Sequence, residues 1–238
     1  MSVSFDLDHA TTDFAQQIQD LLDSVLPPFR EADPEERRLK VIRKREWRVI
    51  RPGSAEKSQS IRLLHDGAHV ADLNLYYWCA PDHADSHLAV RKSSFEVRSL
   101  QEGTPLLRLD YLHDARSVPA AHWNVHAERG AASVLLARCN PKHKGLLSQV
   151  HIPVGGTRYR PCLEDFLEML LREFNFDACP GWEAAVRSGR RRWRLLQTRA
   201  VVRDSPDTAA AVLGSLGYTV VPPPEGPRAP NEAALYER

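Results

Sequence analysis

Apolar residues near the N-terminus recur every three or four positions, which is the spacing of one face of a helix. The stripe consists of Phe14, Ile18, Leu21, Leu22 and Val25. Thr11 or Thr12 can cap this helix, and Pro27 cannot continue it. The pattern therefore predicts a helix over about residues 12–26.

Between residues 41 and 154 the period changes to two, as expected of half-buried strands. Apolar and polar residues alternate around Trp47 and Val49, Phe95 and Val97, Leu107 to Tyr111, Trp123 and Val125, and Val150 to Val154. A short apolar run, Val134–Ala137, predicts one further strand. Polar turns, with no helical pattern between them, connect these segments. The order predicts an antiparallel meander.

Asp66–Gly67 separates two of these segments and fits a type I′ hairpin turn, because glycine accepts the positive φ which that turn requires. A two-residue turn pairs Leu63 with Val70 on one face. Beyond Asp72, however, the apolar residues fall on the opposite face. A bulge near Asp72 would reconcile the two patterns, and the sheet is therefore expected to curve.

Helical spacing returns after Pro161. The broad apolar face there consists of Leu163, Phe166, Leu167, Leu170, Leu171 and Phe174. A second helical stretch begins near Trp182 and is predicted to be interrupted at Gly189. A third opens at Ser205–Pro206, a cap followed by a proline suited to the first turn, and ends at Gly217.

These elements predict an α+β protein. A curved antiparallel β-meander (strands about 41–154) would carry an N-terminal helix and a C-terminal group of helices (161–216) packed on one face. Residues 1–221 are expected to form a single domain. Residues 222–238 have the Pro-rich composition of a disordered tail.

Overall composition excludes few classes of function. The 238 residues carry a formal net charge of +1, so total charge favours neither nucleic acid nor membrane as a partner. The N-terminus lacks the basic and apolar regions of a secretory signal, and no apolar stretch approaches the roughly 18 residues of a spanning helix. The four cysteines are widely spaced, which indicates free thiols. We expect a cytoplasmic protein without a membrane partner.

One predicted sheet face carries titratable groups. His122, Asn124 and His126 point the same way because side chains alternate along a strand. Imidazole transfers protons near neutral pH, a carboxylate orients it, and arginine holds phosphate. The candidate catalytic residues are His122, His126, His151, Asp110 and Arg108. The alternative is that this face is polar because it faces water, as is usual for an antiparallel sheet.

Metal-free chemistry is the preferred interpretation of this face. Residues four apart on a strand are roughly 13 Å apart, at about 3.3 Å per residue, which is too far for one ion to bridge His122 and His126. The glycine-rich loop before Pro161 lacks the Gly-Lys-Ser/Thr ending of a P-loop. We therefore expect no metal and no cofactor.

Arginines elsewhere form two candidate phosphate-binding groups. The first lies in the loop at the predicted start of the leucine-rich helix, and the second lies in the following helical region. They comprise Arg158 and Arg160, and Arg190, Arg191, Arg192 and Arg194. Exposed loop or helix arginines without a ligand are the alternative for both groups.

The series HWNVHAE, QVHIPVGGTRYRP and LEDFLEMLLREF resembles small bacterial toxin–antitoxin proteins over about residues 106–175. The resemblance assigns no catalytic role to any residue. The leading hypothesis is a protein that binds or processes nucleic acid, such as a toxin-like nuclease, with the arginine-rich helix holding phosphates. The competing hypothesis is a non-enzymatic or antitoxin-like module that binds a protein partner.

Overall fold

An antiparallel sheet lies at the centre of the computed structural model, which describes residues 5–82, 85–100, 105–127, 146–149, 151–155 and 160–236. The strands are β1 (Leu39–Lys44), β2 (Trp47–Pro52), β3 (Ile61–His65), β4 (Ala68–Pro81), β5 (Leu88–Ser99), β6 (Pro105–Leu112), β7 (Ala121–Val125) and β8 (Ile152–Gly155). Their order is β1-β2-β4-β5-β6-β7-β8, and β3 also pairs with β4. The predicted α+β class and antiparallel meander are confirmed. The predicted strand Val134–Ala137 lies outside the described residues.

Helices precede and follow the sheet, as the sequence predicts. They are α1 (Leu7–Val25), α2 (Leu163–Glu173), α3 (Trp182–Asp204), α4 (Pro206–Ser215) and α5 (Glu232–Tyr236). No helix among the described residues is long and apolar enough to cross a membrane.

Helix α1 begins five residues before its predicted start. The carboxylate of Asp6 accepts the backbone N–H of His9 and caps the helix. Thr11 and Thr12 lie inside the helix, where their hydroxyls donate to backbone carbonyls four residues earlier. The predicted cap was therefore wrong, because a threonine hydroxyl can bond as readily within a helix as at its end.

Two tight turns build the hairpins of the N-terminal half. Asp66 and Gly67 both have positive φ, of 50° and 76°, as the predicted type I′ turn requires. The sequence pattern missed the hairpin of β1 and β2, whose turn is Arg45–Glu46, and predicted one strand there. Arg45 adopts a φ of 53° without being glycine or asparagine, so no turn signal marks it.

A register shift in the β3–β4 hairpin produces a bulge, as the sequence pattern predicts. Leu63 pairs with Ala71, whereas Leu64 pairs with His69, so Val70 is the extra residue. The bulge lies two residues before its predicted position. It moves the apolar residues of both strands to the same face, which resolves the conflict in their alternation.

Aromatic rings connect the sheet to the helices on one side, which we call the core face. Phe14 of α1 contacts Tyr77, and Tyr77 contacts Phe95, at ring-centroid distances of 5.2 and 5.5 Å. Phe166 of α2 contacts both Phe95 and Trp123, at 5.6 and 5.7 Å. These rings span β4, β5 and β7, so α1 and α2 both pack on the core face.

Helix α3 packs on α1 and α2 through its N-terminal half, with Val186 in the core. The predicted interruption at Gly189 is wrong, since α3 is continuous from Trp182 to Asp204. Gly189 is buried against Glu164 of α2, and a Cβ atom added at this glycine would overlap the Glu164 carboxylate. The glycine allows two helices to approach closely.

The C-terminal segment, for which composition predicts disorder, carries the short helix α5. Asn231 immediately precedes it and binds the end of α3, with its backbone N–H donating to the Asp204 carbonyl at 2.7 Å. Its side-chain amide contacts the Asp204 carboxylate at 3.3 Å. The segment thus has a defined attachment to α3.

We predict that Gly189→Ala destabilises the fold by about 1–3 kcal/mol, because the new methyl group overlaps the Glu164 carboxylate. The free energy of unfolding in denaturant measures the effect. Gly214→Ala in α4 is the matched control, because nothing lies within 4 Å of the added Cβ atom. That control should be neutral or stabilising by up to about 1 kcal/mol, and equal effects at the two sites would contradict the packing role of Gly189.

Candidate functional site

Polar side chains form two rows across the face opposite α1 and α2, which we call the outer face. Strand register aligns the members of each row as direct neighbours on β4, β5, β6 and β7. The first row is Tyr76, Ser94, Asp110 and His122. The second row is Asn74, Glu96, Arg108 and Asn124. Their alternation with the core-face residues places all eight on one surface.

Asp110 is the centre of the first row. Its Oδ1 accepts the Ser94 hydroxyl at 2.6 Å. Its Oδ2 accepts the Arg108 Nε–H at 2.6 Å and the Asn124 amide at 3.1 Å. Three donors hold this carboxylate in place, so Asp110 is suited to orienting its neighbours rather than to taking up a substrate proton.

His122 lies between Asp110 and His151. Its Nδ1 is 2.7 Å from the Pro119 carbonyl, which can only accept, so Nδ1 carries a proton. The opposite nitrogen, Nε2, faces Asp110 Oδ2 at 3.9 Å. On the other side the His151 ring meets the His122 ring edge-on, with centroids 4.7 Å apart. The arrangement Asp110–His122–His151 brings together three of the predicted catalytic residues.

The residues of this cluster differ in exposure, and exposure determines which of them can contact a substrate. His122 is 4% exposed and Asn124 is 1% exposed, so neither can touch a large substrate directly. The Arg108 side chain is 36% exposed, and His151 is partly exposed. A substrate on the outer face would therefore meet Arg108 and His151, with His122 and Asp110 behind them.

A second hydrogen-bonded group surrounds Glu96 in the adjoining row. Glu96 Oε1 accepts the Asn74 amide at 3.1 Å and the Arg98 Nε–H at 2.5 Å. Asn74 in turn accepts the Ser60 hydroxyl at 2.6 Å. Because Glu96 is buried, these bonds compensate for its removal from water.

His126 lies beyond the end of β7. Its backbone N–H donates to the Leu106 carbonyl, so the chain is still extended there. At about 3.3 Å per residue it is roughly 13 Å from His122 along the strand. The structure thus groups His122, His151, Asp110 and Arg108 and leaves His126 at the margin of the same face.

Of the two predicted loop arginines, the structure describes only Arg160. Arg158 lies outside the described residues. Arg160 acts electrostatically on Tyr77 and Cys79, which are buried on the core face. Its charge is therefore close to these two core-face residues.

The arginine-rich helix is α3, and its arginines have different environments. Arg190 bridges to α2, where it pairs with Asp165 at 2.6 Å and with Glu168. In the part of the chain that the structure describes, Arg191, Arg192 and Arg194 have no carboxylate within 4.0 Å, and all three are exposed. Arg190 is accordingly a link between helices, and the other three carry the free positive charge.

A shallow groove of about 370 Å³ follows one stripe of α3. Arg187, Arg190, Arg191, Arg194, Leu195 and Thr198 line it. Because α3 packs on the helices that cover the core face, this groove and the histidine cluster lie on opposite sides of the sheet. One short strand of nucleic acid cannot contact both.

Sequence reasoning missed Ser94, which donates to Asp110 from the adjacent strand. Alternation does place Ser94 and Asp110 each on the polar face of its strand. Strand register, which alternation leaves open, is what makes them neighbours. The remaining partners in the two rows were missed for the same reason.

One described group could offer ligands to a metal ion. Atoms of His65, Asp66 and Asp177 lie within 4.8 Å of one another. The Asp177 carboxylate already accepts the backbone N–H groups of Asp66 and Gly67, at 3.0 and 2.8 Å. Its evident role is to hold the hairpin turn of β3 and β4.

Two of the cysteines are poorly suited to act as nucleophiles. Burial raises the pKa of Cys79 to about 12, and burial also raises the pKa of Cys162 well above its ordinary value. Thiols that stay protonated near neutral pH are poor nucleophiles. Cys179 is a free thiol as well, whereas Cys139 lies outside the described residues.

No protein-family model matches the chain, and neither a curated protein nor a solved structure shows significant similarity to it. The resemblance of residues 106–175 to toxin–antitoxin proteins gains no support from these comparisons.

We predict that Glu168→Gln destabilises the protein at neutral pH and has little effect in acid. The hydrogen bond from Arg190 lowers the pKa of Glu168 below its ordinary value of 4.5. A lowered folded-state pKa gives stability that is complete above about pH 4.5 and is lost as pH falls through the folded-state pKa. Unfolding free energies measured at pH 7 and near pH 3 test this.

Glu173→Gln is the matched control, since Glu173 is an exposed residue of the same helix. It should change stability little at either pH. A penalty for Glu168→Gln that is the same at both pH values would contradict the ion pair with Arg190.

Proposed function

We propose that this protein binds nucleic acid on the outer face of its sheet and processes it by metal-free acid–base chemistry. The observation that carries the proposal is the contact of His151 with His122 beside the anchored Asp110. A cluster of titratable groups that is part buried and part accessible is a candidate functional site.

Each residue of the cluster has a distinct role in this scheme. His151, the accessible imidazole, accepts the proton of an attacking hydroxyl or water as its oxygen bonds to phosphorus, and it returns that proton to the leaving oxygen as the phosphorus–oxygen bond to it breaks. His122 orients His151 through their ring contact, and the Asp110 carboxylate on the other side of His122 provides the counter-charge when His151 is protonated. Arg108 holds the negative oxygens of the phosphate undergoing attack.

Phosphodiesters fit this face better than neutral substrates do. The partly exposed Arg108 guanidinium lies in the row next to the histidine row, so an anion beside it would be next to the imidazoles. A guanidinium binds phosphate oxygens through paired N–H groups. His126 at the margin of the face can contact a flanking part of the chain.

We predict that His151→Ala lowers the cleavage rate at least about 100-fold, the lower range for loss of a general acid–base group. Cleavage of short mixed-sequence RNA and DNA oligonucleotides measures it. His9→Ala is the control, because His9 is an exposed residue of α1 on the other side of the sheet. Cleavage by the His151 variant at the wild-type rate would contradict the proposed role.

A second candidate function is supported by the C-terminal arm, defined as residues 191–216. Its leucine and valine side chains are between 40% and 68% exposed. They are Leu195, Leu196, Val201, Val202, Val212, Leu213 and Leu216. Exposed aliphatic residues grouped in this way are typical of a surface that binds protein. With the free arginines among them, the arm fits a protein partner with an acidic, partly apolar surface.

We predict that the double variant Arg191→Glu/Arg194→Glu leaves oligonucleotide affinity and its salt dependence unchanged. The outer face, rather than α3, is the proposed nucleic-acid surface. Fluorescence anisotropy at several salt concentrations measures both quantities. A loss of affinity in which the salt slope falls by roughly two, the effect of two lost phosphate contacts, would assign nucleic acid to α3 instead.

A further inference from the structure

Three aromatic side chains lie on the outer face beside the histidine row. Tyr76 is the β4 member of that row, and Trp78 follows two residues later on the same face. Trp47 of β2 meets Trp78 edge-on, with ring centroids 6.2 Å apart. All three are partly exposed, and none of them belongs to the core cluster.

Two exposed lysines accompany these rings. Lys44 Nζ lies 5.5 Å from the centroid of the Trp78 ring, and Lys92 Nζ lies 5.4 Å from that of Tyr76. Within the described ranges neither ammonium has a carboxylate within 4.0 Å. The lysines therefore bring uncompensated positive charge to an aromatic surface.

Strand register fixes the distance from this surface to the acid–base cluster. Tyr76, Ser94 and Asp110 are successive neighbours on β4, β5 and β6. Two strand spacings of about 4.8 Å place Tyr76 roughly 10 Å from Asp110. A ligand a few nucleotides long can span that distance without leaving the outer face.

We propose that Trp47, Trp78 and Tyr76, together with Lys44 and Lys92, form a base-stacking subsite for single-stranded nucleic acid. This inference rests on the proposed function and specifies its substrate class. Unpaired bases stack on the aromatic rings, and the flexible lysine side chains move from the ring faces to the adjacent phosphates. A phosphodiester several nucleotides further along the strand then lies at Arg108 and His151, two and four strands from Tyr76.

The chemistry of the surface favours a single strand over a duplex. In a duplex the bases stack on one another and present only their edges, so aromatic side chains on a sheet gain no stacking contact. Unpaired bases of any sequence offer a free face to such rings. Lysines beside the rings add the salt-dependent phosphate contacts that single-strand binding proteins use.

Binding of the intact chain to labelled oligo(dT), and to a DNA hairpin of equal length, tests the subsite by fluorescence anisotropy. Trp47→Ala should lower the oligo(dT) affinity by about five- to 100-fold, the range for loss of one stacked base. Trp47→Phe, which keeps a stacking ring, should restore most of it. Thermal unfolding of both variants establishes that each is folded.

Lys92→Glu is an independent variant, because its side chain is exposed and its replacement leaves the core intact. It should weaken oligo(dT) binding and reduce the salt slope, whereas Lys57→Glu, at an exposed loop lysine, should do neither. The hairpin should bind more weakly than oligo(dT) to the wild type.

Equal affinity for oligo(dT) and hairpin would overturn the subsite, as would wild-type binding by both Trp47→Ala and Lys92→Glu. The proposed function would survive either result if His151→Ala still abolished cleavage. If the wild type bound neither DNA and cleaved no oligonucleotide, the proposed function would fail together with the subsite.

Discussion

The contact of Phe166 with both Phe95 and Trp123 is the constraint on which the arrangement of this molecule depends. One ring of α2 fixes which face of β5 and which face of β7 point toward the helices. Because side chains alternate, the same contact directs Ser94 and His122 to the opposite face. The apolar packing that stabilises the fold thereby determines the position of the polar rows.

The outer face combines burial with polarity, which is unusual for an antiparallel sheet exposed to water on one side. Asp110 and Glu96 each receive several hydrogen bonds from neighbouring strands. Charged groups held in this way are costly to remove from water unless every bond is made. The two rows therefore favour the same strand register as the core does, and the Pro119 carbonyl orients His122 beside them.

Much of this architecture could be predicted from local patterns, and the failures have physical causes. Period-two alternation identified the polar face, and Asp66–Gly67 identified its hairpin, since both signals arise from neighbouring residues. Register and helix pairing depend on distant residues. The sequence pattern therefore could not show that Ser94 meets Asp110, or that Arg190 pairs with Glu168. Gly189 was misread because its function is defined by Glu164, on another helix.

The hydrogen bonds that hold the β3–β4 turn to Asp177 affect the order of folding. The turn N–H groups of Asp66 and Gly67 bind Asp177, 111 and 110 residues later in the chain. During synthesis the hairpin emerges from the ribosome long before its partner does. Contacts of such long range form late and slow the folding of a domain. The turn N–H groups of the hairpin consequently stay open to water until the segment before α3 has been made.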